Sequence, residues 1–284
     1  MQMIADELKS SGIPESQIIY FDLDKREYRN VVTADKLEAL IMSKCVTDEM
    51  KYLFIDEVQN VKDFETVLNG FRTEGNWSIF ITGSNSYLLS GELVTKLTGR
   101  YIEFEIFPLN FQEYEGMKAF FGKPINSNPM IELTNYILEG GFPRAILFDD
   151  MADKRKYVQG VVSEIFEKGI RKRLKIKNKE NFETVRKYII NNFGATTSLN
   201  NICDAIRKNG TPINSSTVSK YIKALIDAKI LYECPRFDMK SKHSISGEKK
   251  YYLADLSFYY AENTDNKINY GPVLENIVYI LSLI

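Results

Sequence analysis

The first half of the chain alternates short apolar runs with longer stretches in which apolar residues recur at helical spacing. Short runs bounded by turn residues predict buried strands, and spacings of three and four residues predict helices. The predicted strands cover residues 18–23, 52–57, 77–82 and 101–107, and the predicted helices cover residues 1–10, 34–42, 64–72, 109–121 and 131–138. This alternation predicts an α/β domain with a parallel sheet that is covered on both faces.

The second half follows a different order, in which helices come first and strands follow. A helix at 154–168 leads into three more, at 182–192, from 199 to about 206 and from 215 to about 226. Ser198 and either Asn214 or Ser215 are the predicted N-caps of the last two. Strands 230–234 and 250–253 then enclose a polar stretch at 240–248. Three helices, a strand, a loop and a strand are the order of a winged helix-turn-helix, so we predict an α+β domain of that class.

Charge separates the same two halves. Residues 1–150 contain 14 Lys and Arg against 24 Asp and Glu, whereas residues 151–284 contain 23 against 14. A change of sign from −10 to +9 favours two domains with different partners. We predict a nucleotide-binding-type domain at 1–150, a helix and basic linker at 151–180, the winged-helix domain at 181–260 and the start of a further region at 261–284.

Composition excludes several classes of protein. Cys45, Cys203 and Cys234 are far apart and odd in number, which indicates a reducing cytoplasm without a disulfide framework or a metal site. The single histidine, His243, has no evident partner for catalysis. We find no apolar run long enough to span a membrane and no signal peptide, so we expect a cytoplasmic protein without a membrane partner.

The most informative motif is the strand 52–57, which ends in Asp56 and Glu57. Ligands of parallel sheets lie at the carboxyl ends of the strands. An Asp at that position can hold Mg²⁺ through water, and the Glu beside it can polarise an attacking water, as in the Walker B motif of P-loop ATPases. Such enzymes also need a loop ending in Gly-Lys-Ser/Thr, and the only Gly-Lys pair in the sequence is Gly122-Lys123, which Pro124 follows. The 284 residues therefore carry half of an ATPase site.

Several motifs together resemble a prokaryotic family of AAA+ superfamily ATPases with a DUF4143-type C-terminal region. The matching segments are 52–59, 80–86, 97–100, 107–109, 140–143, 215–221, 250–255 and 274–279. The resemblance runs from end to end and implies a parallel P-loop NTPase sheet. It also implies a strand and a Gly-rich phosphate loop before the helix at 1–10, and a nuclease-like region after residue 274. We expect the sequence to be a fragment, a natural truncation or part of a chain with further segments. We also expect the first sheet to have an open edge.

The resemblance places further residues in the nucleotide site. Ser84 and Asn85 would lie near the γ-phosphate, with Asn85 bonded to the attacking water, although a Gly-Ser-Asn turn without a ligand is the alternative. Arg100 would stabilise phosphate charge, from the same subunit or from a neighbour, and a structural ion pair is the alternative. Arg144, which follows the turn at 140–143, is a further candidate for the same role as Arg100. That turn resembles one that other ATPases use to link nucleotide state to the next domain. For Asp56 and Glu57 the alternative is a strand ending in two solvated acids.

Small polar residues and lysines of the third helix of the predicted winged domain suit entry into the major groove of DNA. The helix candidates are Ser216, Ser219, Lys220 and Lys223. In the hairpin Lys242, with Lys240, Lys249 and Lys250, could meet phosphates. Winged helices also serve as lids or protein-docking modules, and lysines are common on solvated faces. The basic run 168–179 could contact nucleic acid or could be a linker that docks on the acidic first domain.

These observations predict an ATP-binding or ATP-hydrolysing protein that couples nucleotide state to a winged-helix module. ATP and Mg²⁺ are the expected cofactors of the complete form, and this chain alone is expected to be inactive. The alternative is a nucleotide-independent module that binds DNA or a protein on a degenerate ATPase scaffold. DNA, another protein or a second copy of the chain are the partners that the sequence allows.

Overall fold

The computed structural model describes residues 1–83, 100–165, 170, 176, 178–238, 243–263 and 267–284, with the side chains of 237–247 outside that description. The chain divides into two compact units, Met1–Glu103 and Phe104–Ile284. The predicted domain limits, which place the first boundary at residue 150, stay a prediction.

The first unit is built on a sheet of three parallel strands. These are β1 (Ile18–Asp22), β2 (Lys51–Asp56) and β3 (Trp77–Ile81), with β2 in the centre. The register places Asp22 beside Asp56 at one end of the sheet. Three of the four strands predicted from the apolar runs are confirmed, and so is their parallel arrangement.

Helices α1 (Gln2–Ser10), α2 (Ala34–Lys44) and α3 (Phe64–Glu74) complete the first unit. Parallel neighbours need crossover connections, which α2 and α3 supply. Side chains alternate between the faces of a strand, so Leu53 and Ile55 of β2 belong to a buried cluster with Leu37 of α2 and Phe64 of α3. On the opposite face Phe54 stacks between Tyr20 and Phe80, with ring centroids 5.9 and 4.7 Å away.

The predicted fourth strand at 101–107 is wrong. These residues adopt no regular structure, and Ile102, Phe104 and Ile106 are 82%, 81% and 88% exposed. The alternation of apolar and acidic residues gives the segment strand propensity, but a strand forms only by pairing with a neighbour. Among the described residues no strand pairs with this segment, and β3 likewise has a partner on one edge only.

The second unit is mainly helical. Its helices are α4 (Phe111–Phe120), α5 (Pro129–Glu139), α6 (Met151–Glu164), α7 (Lys179–Asn191), α8 (Leu199–Lys208), α9 (Ser215–Asp227), α10 (Ser257–Glu262) and α11 (Tyr270–Leu281). Strands β4 (Leu231–Asp238) and β5 (His243–Leu253) form an antiparallel hairpin between α9 and α10. A single buried apolar cluster draws on α5 to α11 and on both strands of the hairpin.

The order of elements in this region is the predicted one: helices α7, α8 and α9 come first, and the hairpin follows. Ser198 accepts a hydrogen bond from the Asn201 amide at 3.2 Å, and Asn214 accepts one from the Thr217 amide at 2.8 Å, so both predicted N-caps act as caps. The strands are longer than predicted, since β5 begins at His243 inside the stretch expected to be loop. The winged-helix class itself stays a prediction.

Helix α11 fixes the last described residues to the hairpin. The buried Asn276 side chain accepts a hydrogen bond from the Leu253 amide at 2.7 Å and donates one to the Leu253 carbonyl at 2.9 Å. Tyr279 stacks on Tyr252 with ring centroids 4.2 Å apart. The segment 274–279, which carried part of the resemblance, is therefore the part of α11 that packs against β5.

Candidate functional site

The Asp-Glu pair lies at the carboxyl end of the central strand of the first unit. Asp56 is the last residue of β2 and is half-buried. Glu57 follows at φ 57° and ψ 44°, in the left-handed region, and leads into the 3-10 helix Val58–Asn60. A residue with a Cβ atom at this backbone conformation costs about 1 kcal/mol relative to a right-handed one. The surrounding structure must supply contacts that hold Glu57 in this conformation.

Thr82, directly after β3, supplies those contacts. Its hydroxyl donates a hydrogen bond to Asp56 Oδ1, and its Oγ1 accepts one from the Glu57 amide at 3.3 Å. Its carbonyl accepts a further bond from the Val58 amide at 3.0 Å. The ends of β2 and β3 are therefore joined through one threonine, which the sequence analysis did not single out.

The Glu57 carboxylate has a partner of its own. Gln59 Nε2 donates a hydrogen bond to Glu57 Oε2 from within the short 3-10 helix. The contact orients the carboxylate without neutralising it, because the amide carries no net charge.

A second acidic group lies at the end of the neighbouring strand. Asp22 ends β1 beside Asp56, and the Asp24 amide donates to Asp22 Oδ1 at 3.2 Å. Asn60 donates to Asp24 at 3.1 Å. Burial, reinforced by the charges of Asp56 and Asp22, raises the pKa of the Tyr20 hydroxyl. The sequence signal for Asp22 was present, since β1 is also an apolar run that ends in an acid.

The geometry fits one end of a Mg²⁺-nucleotide site. A carboxylate at the end of a parallel strand is the group that holds Mg²⁺ through water in such sheets. Within the described part of the chain, no cluster of three or more His, Cys, Asp or Glu could hold a metal ion directly. The residues present do not form the phosphate-binding part of such a site, because no Gly-rich loop with a terminal Lys occurs in the 284 residues.

The other predicted members of the nucleotide site fall in different positions. Ser84 and Asn85 lie outside the described residues. Arg100 is exposed, and both interpretations of this side chain stay predictions. Arg144 is exposed in the 3-10 helix Pro143–Leu147 of the second unit.

The turn at 140–143 is held by a buried carboxylate. Asp255 is buried and accepts hydrogen bonds from the Gly141 amide at 2.6 Å and from the Ser257 amide at 2.8 Å. Burial raises the pKa of Asp255, and these donors partly oppose the rise. The Leu109 amide also donates to the Gly141 carbonyl at 2.8 Å. The turn therefore joins three distant segments of the second unit.

The candidate DNA-contacting residues of α9 are on its exposed face: Ser216, Ser219, Lys220 and Lys223. Lys223 lies 3.3 Å from Asp227 in the next turn. In the hairpin, Lys249 pairs with Glu233 at 2.6 Å and Lys250 pairs with Glu275, so both lysines already have an acidic partner within the protein. Lys240 and Lys242 lie outside the described residues, as does most of the basic run 168–179.

Known proteins supply independent evidence. A family profile described as AAA domain matches residues 1–115, and one described as a domain of unknown function, DUF8612, matches residues 130–267. An uncharacterized protein of Haemophilus influenzae is 30% identical over 279 residues, which are 97% of this chain and 68% of that protein. The chain belongs to the family of this Haemophilus protein. The predicted DUF4143-type region is not confirmed, since the profile that matches there is a different one.

Other relatives agree. An uncharacterized protein of Methanocaldococcus jannaschii is 30% identical over 271 residues, covering 94% of this chain and 60% of the relative. The Walker-type ATPase of Pyrococcus abyssi superposes with a TM-score of 0.56 at 13% identity, over 86% of this chain and 83% of that one, which shows a shared fold. The profile match over residues 1–115 supports an AAA-like ATPase scaffold for the first unit of this chain. No helix among the described residues is long and apolar enough to cross a bilayer.

Proposed function

We propose that this protein, in a form that carries a phosphate loop, binds ATP with Mg²⁺ and hydrolyses it. The observation that supports this is the position of Asp56 and Glu57 at the end of the central parallel strand, joined to β3 by Thr82. A pair of merely solvated acids would not need a left-handed Glu held by a neighbouring strand.

Each residue of the pair has a distinct role in the proposal. Asp56 would hold Mg²⁺ through water, with the carboxylate oxygen that Thr82 does not contact. Glu57 takes the proton of the attacking water as a general base. Asn85 and Ser84 would orient that water and the γ-phosphate, and Arg100 would meet the charge that develops in the transition state. Bound Mg²⁺ would supply neutralisation of phosphate charge.

Asp56→Ala is expected to remove the Mg²⁺ dependence of nucleotide binding in the loop-bearing form. The wild type should bind a fluorescent ATP analogue at least about tenfold more tightly with Mg²⁺ than with EDTA, because Mg²⁺ would offset phosphate charge and Asp56 would hold the ion through water. In the variant the two affinities should converge. Asp35→Ala, an exposed change on α2, is the control and should behave as wild type. Equal Mg²⁺ dependence in wild type and Asp56→Ala would remove Asp56 from the site.

We propose further that nucleotide state is coupled to the second unit as a winged-helix module. The segment that follows the first unit supports this, because Glu105 accepts hydrogen bonds from Lys229 and Tyr232 at the base of the hairpin. Phe107 also stacks on Tyr232 with ring centroids 5.7 Å apart. A change in the position of residues 104–107 would therefore act directly on β4 and on the turn that joins it to α9.

A second candidate function is nucleotide-independent binding of DNA or of a protein through α9. The exposed serines and lysines of that helix, and the excess of basic residues after residue 150, support it. If the ligand is DNA, replacing the lysines of α9 should remove their electrostatic contribution to the affinity.

Lys220→Ala combined with Lys223→Ala is expected to weaken duplex binding about tenfold or more near physiological salt and to reduce the salt slope by roughly two, one for each phosphate contact. Fluorescence anisotropy with a labelled duplex between 50 and 200 mM salt measures both. The matched control changes Lys36 and Lys156, exposed lysines elsewhere, and removes the same charge. If the control weakens binding equally, only net charge matters and α9 is not the contact helix.

A further inference from the structure

We propose that Thr82 is the positioning residue of the acid pair, and that its hydroxyl sets which carboxylate oxygen of Asp56 is presented to the metal-bound water. This inference rests on the proposed function of Asp56 and Glu57. It concerns a residue outside the predicted set of site residues, placed by the register of the sheet at the end of β3.

The hydroxyl uses both of its hydrogen-bonding capacities on the pair. It donates to Asp56 Oδ1 and accepts from the Glu57 amide at 3.3 Å. The Thr82 amide also donates to the Ile55 carbonyl at 3.0 Å, which keeps its backbone in register with β2. Among the described residues no hydrogen bond reaches Asp56 Oδ2, so this oxygen is the one available to a metal-bound water.

The contact to the Glu57 amide has a second effect. Glu57 occupies the left-handed backbone region, which ends the extended backbone of β2 directly after Asp56 and starts the 3-10 helix Val58–Asn60. An amide left without an acceptor would permit other conformations of this residue. The Thr82 hydroxyl therefore fixes the orientation of the base and the exposed oxygen of the metal-associated acid through one group.

The most informative variant is Thr82→Val, because valine keeps the shape of the side chain and removes the hydroxyl. Thr82→Ser keeps the hydroxyl and is the matched control. Thr82→Ala replaces the valine variant if valine does not fold. Folding is monitored by the fluorescence of the single tryptophan, Trp77, which is buried at the start of β3. The probe ligand is Mn²⁺ alone, which takes oxygen ligands as Mg²⁺ does and broadens nearby amide signals in NMR spectra.

Two measurements on the 284-residue chain test the proposal. In Thr82→Val the Glu57 amide should exchange with solvent about tenfold faster, while the Val58 amide, bonded to the Thr82 backbone, should keep its rate as an internal control. Mn²⁺ should broaden the amides of residues 56–58 in wild type and in Thr82→Ser with the same midpoint. The midpoint should rise about tenfold in Thr82→Val and broadening should vanish in Asp56→Ala.

The outcomes separate the two claims. A wild-type Mn²⁺ midpoint in Thr82→Val, or an unchanged Glu57 exchange rate, would overturn the positioning role of Thr82 and leave the proposed function standing. Broadening in wild type that Asp56→Ala does not reduce, or no broadening at all, would overturn the metal-associated role of Asp56 and, with it, this inference.

Discussion

Gly141→Ala is expected to destabilise the second unit by about 3 kcal/mol or more, because a Cβ atom at this position has no space. It would lie 2.2 Å from the Leu109 carbonyl oxygen and 2.9 Å from the Leu109 nitrogen. Both are backbone atoms that already form hydrogen bonds: the Leu109 amide donates to the Gly141 carbonyl, and the Leu109 carbonyl accepts from the Tyr136 hydroxyl. Neither atom can therefore move without breaking a hydrogen bond. The same shift would pull the Gly141 amide away from the buried Asp255 carboxylate.

The matched control is Gly116→Ala, on α4, where a Cβ atom meets nothing within 4 Å. Alanine inside a helix is favoured over glycine, so this change should leave stability unchanged or raise it by up to about 1 kcal/mol. Urea unfolding followed by circular dichroism reports the helices of both units, and Trp77 fluorescence in the same sample reports the first unit alone, so a shift seen only by circular dichroism belongs to the second unit. Equal unfolding midpoints for the two variants would contradict the packing described for the turn.

Glu57→Gln in the loop-bearing form is expected to lower ATP hydrolysis about a thousandfold, since a neutral amide cannot accept the proton of the attacking water. Nucleotide affinity should stay within about threefold of wild type, because Asp56 and the phosphate contacts are unchanged. The measurements are phosphate release at saturating ATP and equilibrium binding of a fluorescent ATP analogue.

Glu38→Gln, an exposed change on α2, removes the same charge and should hydrolyse ATP at the wild-type rate. Hydrolysis by Glu57→Gln within a few-fold of wild type would assign the general base elsewhere. Loss of both binding and hydrolysis would show that Glu57 acts in nucleotide binding.

The parts of the fold that local patterns specify were predictable. β2 is an apolar run ending in two acids, and its neighbours β1 and β3 show the same apolar density between helical segments. Helices α8 and α9 carry their N-caps, Ser198 and Asn214, in the sequence. Periodicity and capping depend on residues a few positions apart, which is why they can be read from the chain alone.

The residues that were missed depend on partners far away in sequence. Thr82 gains its role from Asp56, 26 residues earlier, and Asn276 from Leu253, 23 residues earlier. Asp255 meets Gly141 across 114 residues. A single threonine, asparagine or aspartate carries no local signal of such a contact. The segment 101–107 shows the converse, since its alternation indicated a strand and no described strand pairs with it.

Equilibrium binding of a fluorescent ATP analogue, with and without Mg²⁺, tests the central claim most directly when this chain is compared with a form that carries the phosphate loop. We predict no binding to the 284-residue chain up to millimolar nucleotide, because nothing in its sequence cradles the phosphates. The loop-bearing form should bind in the micromolar range with Mg²⁺ and at least about tenfold more weakly without it. Absence of Mg²⁺-dependent binding to that form would contradict the account and would leave the second unit, with the exposed face of α9, as the functional part of the protein.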